Sequence, residues 1–228
     1  MAKIVDLTKK WGNNFVFDKF SIEFADRKVT AVLGKSGVGK TTLLNSIAGI
    51  VDYEGRAEGF GKISYVFQEH RLIPFMTVRE NLSYALSGAV KDKTEVANLI
   101  DQVLALTKLT DYADKIADNL SGGEKQRVSL ARAFAYPADT VLMDEPFNSL
   151  DVGLKKSIMD DFSALVAAYG RTCVFVTHSV DEALYLADEI VFLDKNKAIS
   201  VGKLSEKRTF GYEEDGGLRE KLYSLLFA

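Results

Sequence analysis

Gly34-Lys35-Ser36-Gly37-Val38-Gly39-Lys40-Thr41 ends a glycine-rich octapeptide with an ammonium and a hydroxyl. It follows the apolar run Val29–Leu33 and precedes the helical stretch Thr42–Ile50, the strand–loop–helix setting of a triphosphate cradle. Glycines permit the backbone conformations that turn successive N–H groups towards one anion. The N-terminus of the next helix adds partial positive charge. Lys40 is expected to reach the β- and γ-phosphates of ATP and the Thr41 hydroxyl to coordinate Mg2+, with Thr42 beside it in the nucleotide site. The octapeptide says triphosphate and does not say which machine.

A second chemical cluster is Val141-Leu142-Met143-Asp144-Glu145-Pro146. A carboxylate closing a buried strand is costly unless a cation or strong donors compensate it. Asp144 therefore suits a Mg2+-linked role, direct or through water, and Glu145 that of general base for an attacking water. A third is Leu120-Ser121-Gly122-Gly123-Glu124-Lys125-Gln126-Arg127. Ser121 and Glu124 make a capping box for a helix. Two glycines in its first turn cost about 1 kcal/mol each against alanine. Capping does not need them; a backbone that approaches a phosphate does.

These residues must be held by something. Val29–Leu33, Ile63–Phe67, Thr140–Met143 and Thr172–Val176 are apolar runs suited to buried parallel strands, and Ile190–Leu193 is a further candidate. The first four end in polar, reactive or glycine-rich residues, and open parallel sheets bind ligands at their carboxyl edge. Ile4–Leu7 and Phe20–Phe24, set off by 12–14 and 25–27, read as small antiparallel strands. Between Thr77 and Ala135 the period changes. Val96, Leu99, Ile100, Val103, Leu104 and Leu106 form a helical stripe, and Thr77–Ala89 and Ser121–Ala135 also read as helices. Residues 77–135 are thus a helical lobe inserted into a core made of 1–76 and 136–228.

The 228 residues are 47% hydrophobic, enough for a large core, and the net charge of −3 argues against a dedicated nucleic-acid binder. Cys173 is the only cysteine, so no internal disulfide forms; in the run Thr172–Val176 it reads as a buried thiol of a reducing compartment. The start, Met1–Trp11, has no signal-peptide core. The longest uncharged stretch, Thr41–Val51, falls far short of the ~20 apolar residues that span a bilayer. Any membrane-spanning part is expected on another chain.

Taken together, the LSGG run at 120–123, the phosphate loop and the Asp144-Glu145 strand end resemble the ATP-binding-cassette (ABC) family over almost the whole chain. The resemblance implies a P-loop NTPase fold of the α/β class, an ABC-type cassette with an antiparallel β subdomain and an inserted helical subdomain. It implies two cassettes head to tail, with Ser121, Gly122 and Gly123 of one contacting the γ-phosphate held by 34–41 of the other. Gln68 matches the family's glutamine at Mg2+ and the water, and His178 the histidine at the γ-phosphate. Ser149-Leu150-Asp151 matches the loop that reaches across the dimer. Trp11 stands where the family stacks an aromatic ring on adenine; its alternative is core packing.

Val66–Leu82 and the tail from Leu218 to Leu225 are similar to importers of nitrate, sulfonates, taurine and thiamine precursors. That resemblance implies membrane-spanning permease subunits, a separate extracytoplasmic binding protein, and a peripheral place on the cytoplasmic side of the membrane. The competing reading is a soluble ABC ATPase of iron–sulfur cluster assembly. Glu124, Asn148, Ser179 and Phe75 depart from the residues usual in that group, and none removes a group needed for hydrolysis.

Overall fold

A computed structural model describes residues 1–148, 150–195, 197–203 and 217–227. The chain opens with a hairpin of β1 (Ala2–Trp11) and β2 (Asn14–Phe24), then enters the fully buried strand β3 (Val29–Leu33) and the helix α1 (Lys40–Ile47). A short exposed strand, β4 (Glu54–Glu58), precedes β5 (Ile63–Val66). Next come α2 (Val78–Leu86), α3 (Lys93–Leu106), two 3₁₀ turns (Thr110–Tyr112 and Ala117–Asn119) and α4 (Gly122–Ala135). The remainder alternates: β6 (Thr140–Asp144), α5 (Val152–Tyr169), β7 (Thr172–Thr177), α6 (Val180–Leu186), β8 (Glu189–Asp194), β9 (Lys197–Lys203) and α7 (Leu218–Phe227).

Two sheets result. One has three antiparallel strands in the order β2-β1-β4; the other runs β5-β6-β7-β3-β8-β9, parallel except for β9. The parallel strands were legible because both of their faces are covered, so every residue of β3, β6 and β7 is buried and, Asp144 apart, apolar or small. Alternation then sorts side chains between two cores. Ala31, Met143 and Phe175 face the helices α2–α5, whereas Val32, Leu142 and Val174 face α1 and the antiparallel sheet.

Several boundaries differ from the sequence reading. β1 and β2 are far longer than Ile4–Leu7 and Phe20–Phe24. Register shifts and left-handed residues at Asp6 and Lys19 break their alternation, so the period-two signal covers only part of each strand. Helix α1 begins at Lys40 rather than Thr42 and stops at Ile47; Gly49, with φ of 66°, ends it, and Ile50 is outside. Helix α2 ends at Leu86, short of Ala89, while Ser121 caps α4 through the expected reciprocal bonds with Glu124. Cys173 is buried as expected, and that burial pushes its thiol up to about 12.

Candidate nucleotide site

Strand register sets the site. Leu33 lies beside Thr177, Val176 beside Asp144, and Met143 beside Val66. Residues that leave the sheet just past these pairs therefore emerge along one edge: Gly34 from β3, Gln68 beyond β5, Glu145 from β6 and His178 from β7.

At Gly34 a Cβ would lie 2.7 Å from the Leu193 carbonyl oxygen. Gly37 and Gly39 have φ of 77° and 110°, conformations that L side chains avoid. Gly39, the residue before α1, also has no room: a Cβ would lie 2.7 Å from Val16 and 3.1 Å from the Phe17 ring. Lys35, Ser36 and Gly37 are exposed at the crest of the loop, and Val38 closes its turn by donating to the Lys35 carbonyl at 3.4 Å. The buried Lys40 ammonium donates to the carbonyls of Gly34 (2.8 Å) and Lys35 (3.0 Å). Burial lowers its pKa, and the charges of Glu145 and Asp144 oppose the shift. An ammonium held in a glycine turn by carbonyls can exchange them for phosphate oxygens.

The Thr41 hydroxyl donates to Asp144 Oδ1 at 3.1 Å, and Thr42 follows it, half-buried, on the same turn. Burial raises the pKa of Asp144 and the Glu145 charge adds to this, while the Thr41 bond opposes it. A divalent cation would reverse that penalty, and the donors are hard oxygens, so the set fits Mg2+. Among the described residues no group of three His, Cys, Asp or Glu could hold a metal alone. The ion would share its coordination with phosphate oxygens, as Mg2+ commonly does.

Glu145 has φ of 45°, rare for a side-chain-bearing residue, and its N–H donates to the Val176 carbonyl at 3.1 Å. Its Oε1 lies 3.4 Å from His178 Nδ1, and its Oε2 accepts from Asn148 Nδ2 at 3.1 Å. Gln68, Glu145 and Gly122 line one cleft of about 340 Å3. The Gln68 segment is propped by a stack: Tyr65 on Phe67 with ring centroids 4.2 Å apart, and Arg71 over Phe67 at 3.7 Å. Tyr65 in turn donates to Asn45 Oδ1 at 3.1 Å on α1, and burial pushes its pKa upward. Asn148 was noted from sequence only as a departure from the usual residue, without a role, and the Tyr65–Asn45 pair was not singled out.

The two signature glycines separate. A Cβ on Gly123 would lie 2.5 Å from Leu154 Cδ2, so the glycine lets α4 pack closely on the Leu154 side chain of α5. Gly122 meets nothing within 4 Å, and Ser121 and Gly122 are exposed. Gly122 thus leaves bare backbone open to solvent at the start of α4. Ser149 lies outside the described residues, while Asp151 caps α5 by accepting from Leu154 N at 3.0 Å.

Trp11 ends β1 and is 55% exposed, which excludes core packing. The hairpin that carries it also carries Val16 and Phe17 against Gly39. As the only tryptophan, Trp11 is a clean reporter. Saturating ATP is expected to change its emission; emission indifferent to ATP would remove Trp11 from the adenine site.

A glycine loop on an inner strand of a parallel sheet, a Thr–Asp pair and a strand-end carboxylate define a P-loop nucleotide cassette. The ABC transporter family profile matches residues 17–148, more than half of the sequence, and the chain belongs to that family. It is 33% identical over 217 residues to "Fe(3+) ions import ATP-binding protein FbpC 1" of Pectobacterium atrosepticum, covering 90% of this chain and 62% of that one. It is 35% identical over 215 residues to "Sulfate/thiosulfate import ATP-binding protein CysA" of Caulobacter vibrioides, covering 87% and 63%. The chain thus spans less than two thirds of the length of either. The dimeric structure of a bacterial ABC transporter cassette matches with a TM-score of 0.77 at 26% identity, over 90% of this chain and all of that one. These names are of iron and sulfate importers rather than the nitrate, sulfonate and taurine group, and they do not favour the cluster-assembly alternative.

Proposed function

We propose that this chain is the ATP-hydrolysing subunit of an ABC importer, driving uptake of a small solute through separate membrane-spanning subunits. The observation that carries it is the convergence at one sheet edge of the Lys40 cradle, the Thr41–Asp144 pair and Glu145. Lys40 would neutralise the β/γ-phosphates, Thr41, Asp144 and Gln68 would hold Mg2+, and His178 would meet the γ-phosphate. A bound Mg2+ supplies charge neutralisation on the phosphoryl oxygens. Glu145 takes the proton of the attacking water at its carboxylate, held in place by Asn148.

Exposed Gly122 suits a second cassette whose nucleotide it would approach. Among the described residues no helix is long and apolar enough to cross a membrane, so the spanning part is assigned to permease subunits. Phe75, seven residues after Gln68, and Ile116 are exposed apolar side chains. Bonds from Ala117 N to the Met76 carbonyl and from Asp118 N to the Pro74 carbonyl bring their two segments together. That patch is the proposed docking face, on the cytoplasmic side of the membrane. The names of the relatives support import; a separate extracytoplasmic binding protein is assigned to deliver the solute. The nitrate-, sulfonate-, taurine- or thiamine-precursor-like class rests on Val66–Leu82.

ATP at a hundredfold excess over Kd should stabilise the chain by about 2.7 kcal/mol. For a domain of this size that is a rise in Tm of about 5–10 °C. Lys40→Ala is expected to abolish the rise. An unchanged ATP-dependent shift in that variant would overturn the role given to Lys40, and co-purification with a soluble scaffold in place of a polytopic membrane protein would overturn import.

A further inference from the structure

Glu182 is a buried carboxylate, 3% exposed, with no part in the chemistry above. Its Oε2 accepts from the Thr177 hydroxyl at 2.6 Å, and its Oε1 meets Lys155 Nζ at 2.7 Å. The same Thr177 oxygen accepts from Ser179 N at 3.0 Å. One hydroxyl thus fastens both chain neighbours of His178, and Glu182 fastens the hydroxyl. The Ser179 side chain closes the ring by accepting from Glu182 N at 3.4 Å. His178 projects from this clamp, more than half exposed, towards Glu145.

Lys155 leads elsewhere. It stands in the first turn of α5, where its own N–H donates to the Asp151 carbonyl at 2.8 Å. Asp151 and Leu150 are the end of the segment that the two-cassette reading turns towards the partner. Glu182 is buried and Lys155 partly so, and such an ion pair is a poor device for stability alone, because desolvation of the carboxylate offsets much of its attraction. Three short contacts in series, from Asp151 through Lys155 and Glu182 to Thr177, are better explained by what they hold in register.

We propose that Glu182 is a positioning residue for His178, and that through Lys155 it ties the placement of His178 to the segment at Leu150-Asp151. A displacement of that segment moves the first turn of α5, and with it the carboxylate that sets the backbone on both sides of His178. The inference rests on the ATPase reading for its consequence, though not for its geometry.

The chain has two histidines, His70 and His178, so their ring-proton NMR signals can be assigned by removing one. In nucleotide-free protein, Glu182→Gln is expected to move the His178 signals and leave those of His70 in place. His178 signals that stay put would overturn the proposal. In ATP hydrolysis, Glu182→Gln is expected to lower kcat by about 10- to 100-fold with little change in KM, the scale of loss from misplacing a reacting group. The double variant with His178→Ala should be no slower than His178→Ala alone; multiplied losses would mean that Glu182 acts by a route other than His178. Should Glu182→Gln fail to fold, Thr177→Val removes the clamp hydroxyl while leaving the Lys155 pair, and the same two measurements apply. A wild-type chain without ATPase activity would sink the ATPase reading, and the NMR arm would still decide this one.

Discussion

Glu145→Gln is expected to bind MgATP normally and to lose about 10²–10⁴-fold in hydrolysis, the usual cost of removing a general base. The exchange keeps the length of the side chain and an oxygen that can still accept from Asn148 Nδ2. The left-handed backbone at Glu145 and its bond to the Val176 carbonyl involve no side-chain atom, so the kink that aims residue 145 remains. Lys40 is satisfied by Gly34 and Lys35 rather than by Glu145, which leaves the cradle intact. Binding and turnover are thereby separated. With ATP the variant should run on size-exclusion chromatography as a long-lived dimer, while the wild type with MgATP runs mainly as monomer. Near-normal ATPase activity would remove Glu145 from the mechanism. Normal ATP binding without any dimer would undermine the two-cassette arrangement.

The candidate base Glu145 was legible because its signal is local: an apolar strand that ends in Asp-Glu-Pro needs no knowledge of its neighbours. The same holds for the 34–41 loop and the Ser121–Glu124 capping box. What stayed hidden depends on register and packing. The Tyr65–Asn45 bond becomes meaningful only when β5 is set against α1. That Gly123 also packs under Leu154, on a different helix, shows only in the fold. Among the elements, β4 is Glu54-Gly55-Arg56-Ala57-Glu58, mostly exposed and without alternation, so it had no pattern to read. Helix α5 did carry a stripe, with Ile158, Met159, Phe162 and Leu165 buried, a cap at Asp151 and a left-handed Gly170 at its end. A period-3.6 scan of 152–169 finds it.

Mixing a Ser121→Arg chain with a Lys40→Ala chain is expected to restore ATPase activity that neither has alone. Lys40 sits buried in the cradle, and Ser121 stands exposed at the start of α4 beside the open face of Gly122. In a head-to-tail pair, each composite site takes Lys40 from one chain and Ser121 from the other. A mixed dimer therefore puts both lesions into one site and leaves the other intact. With random exchange of equal amounts, half the dimers are mixed and each has one good site of two, so about a quarter of the wild-type sites return. Losing the Ser121 cap costs about 1 kcal/mol, small against the 5–15 kcal/mol that typically holds a domain together. A thermal melt of the Ser121→Arg chain checks that it is folded and that arginine acts at the interface. Two dead chains that stay dead when mixed, with exchange between them demonstrated, would mean that hydrolysis is completed within one chain or that one intact site cannot turn over alone. A single-chain fusion of two cassettes carrying both lesions in the same composite site then decides, because only the self-contained mechanism predicts half the wild-type rate when both lesions are placed in one cassette and none when they are split between the two.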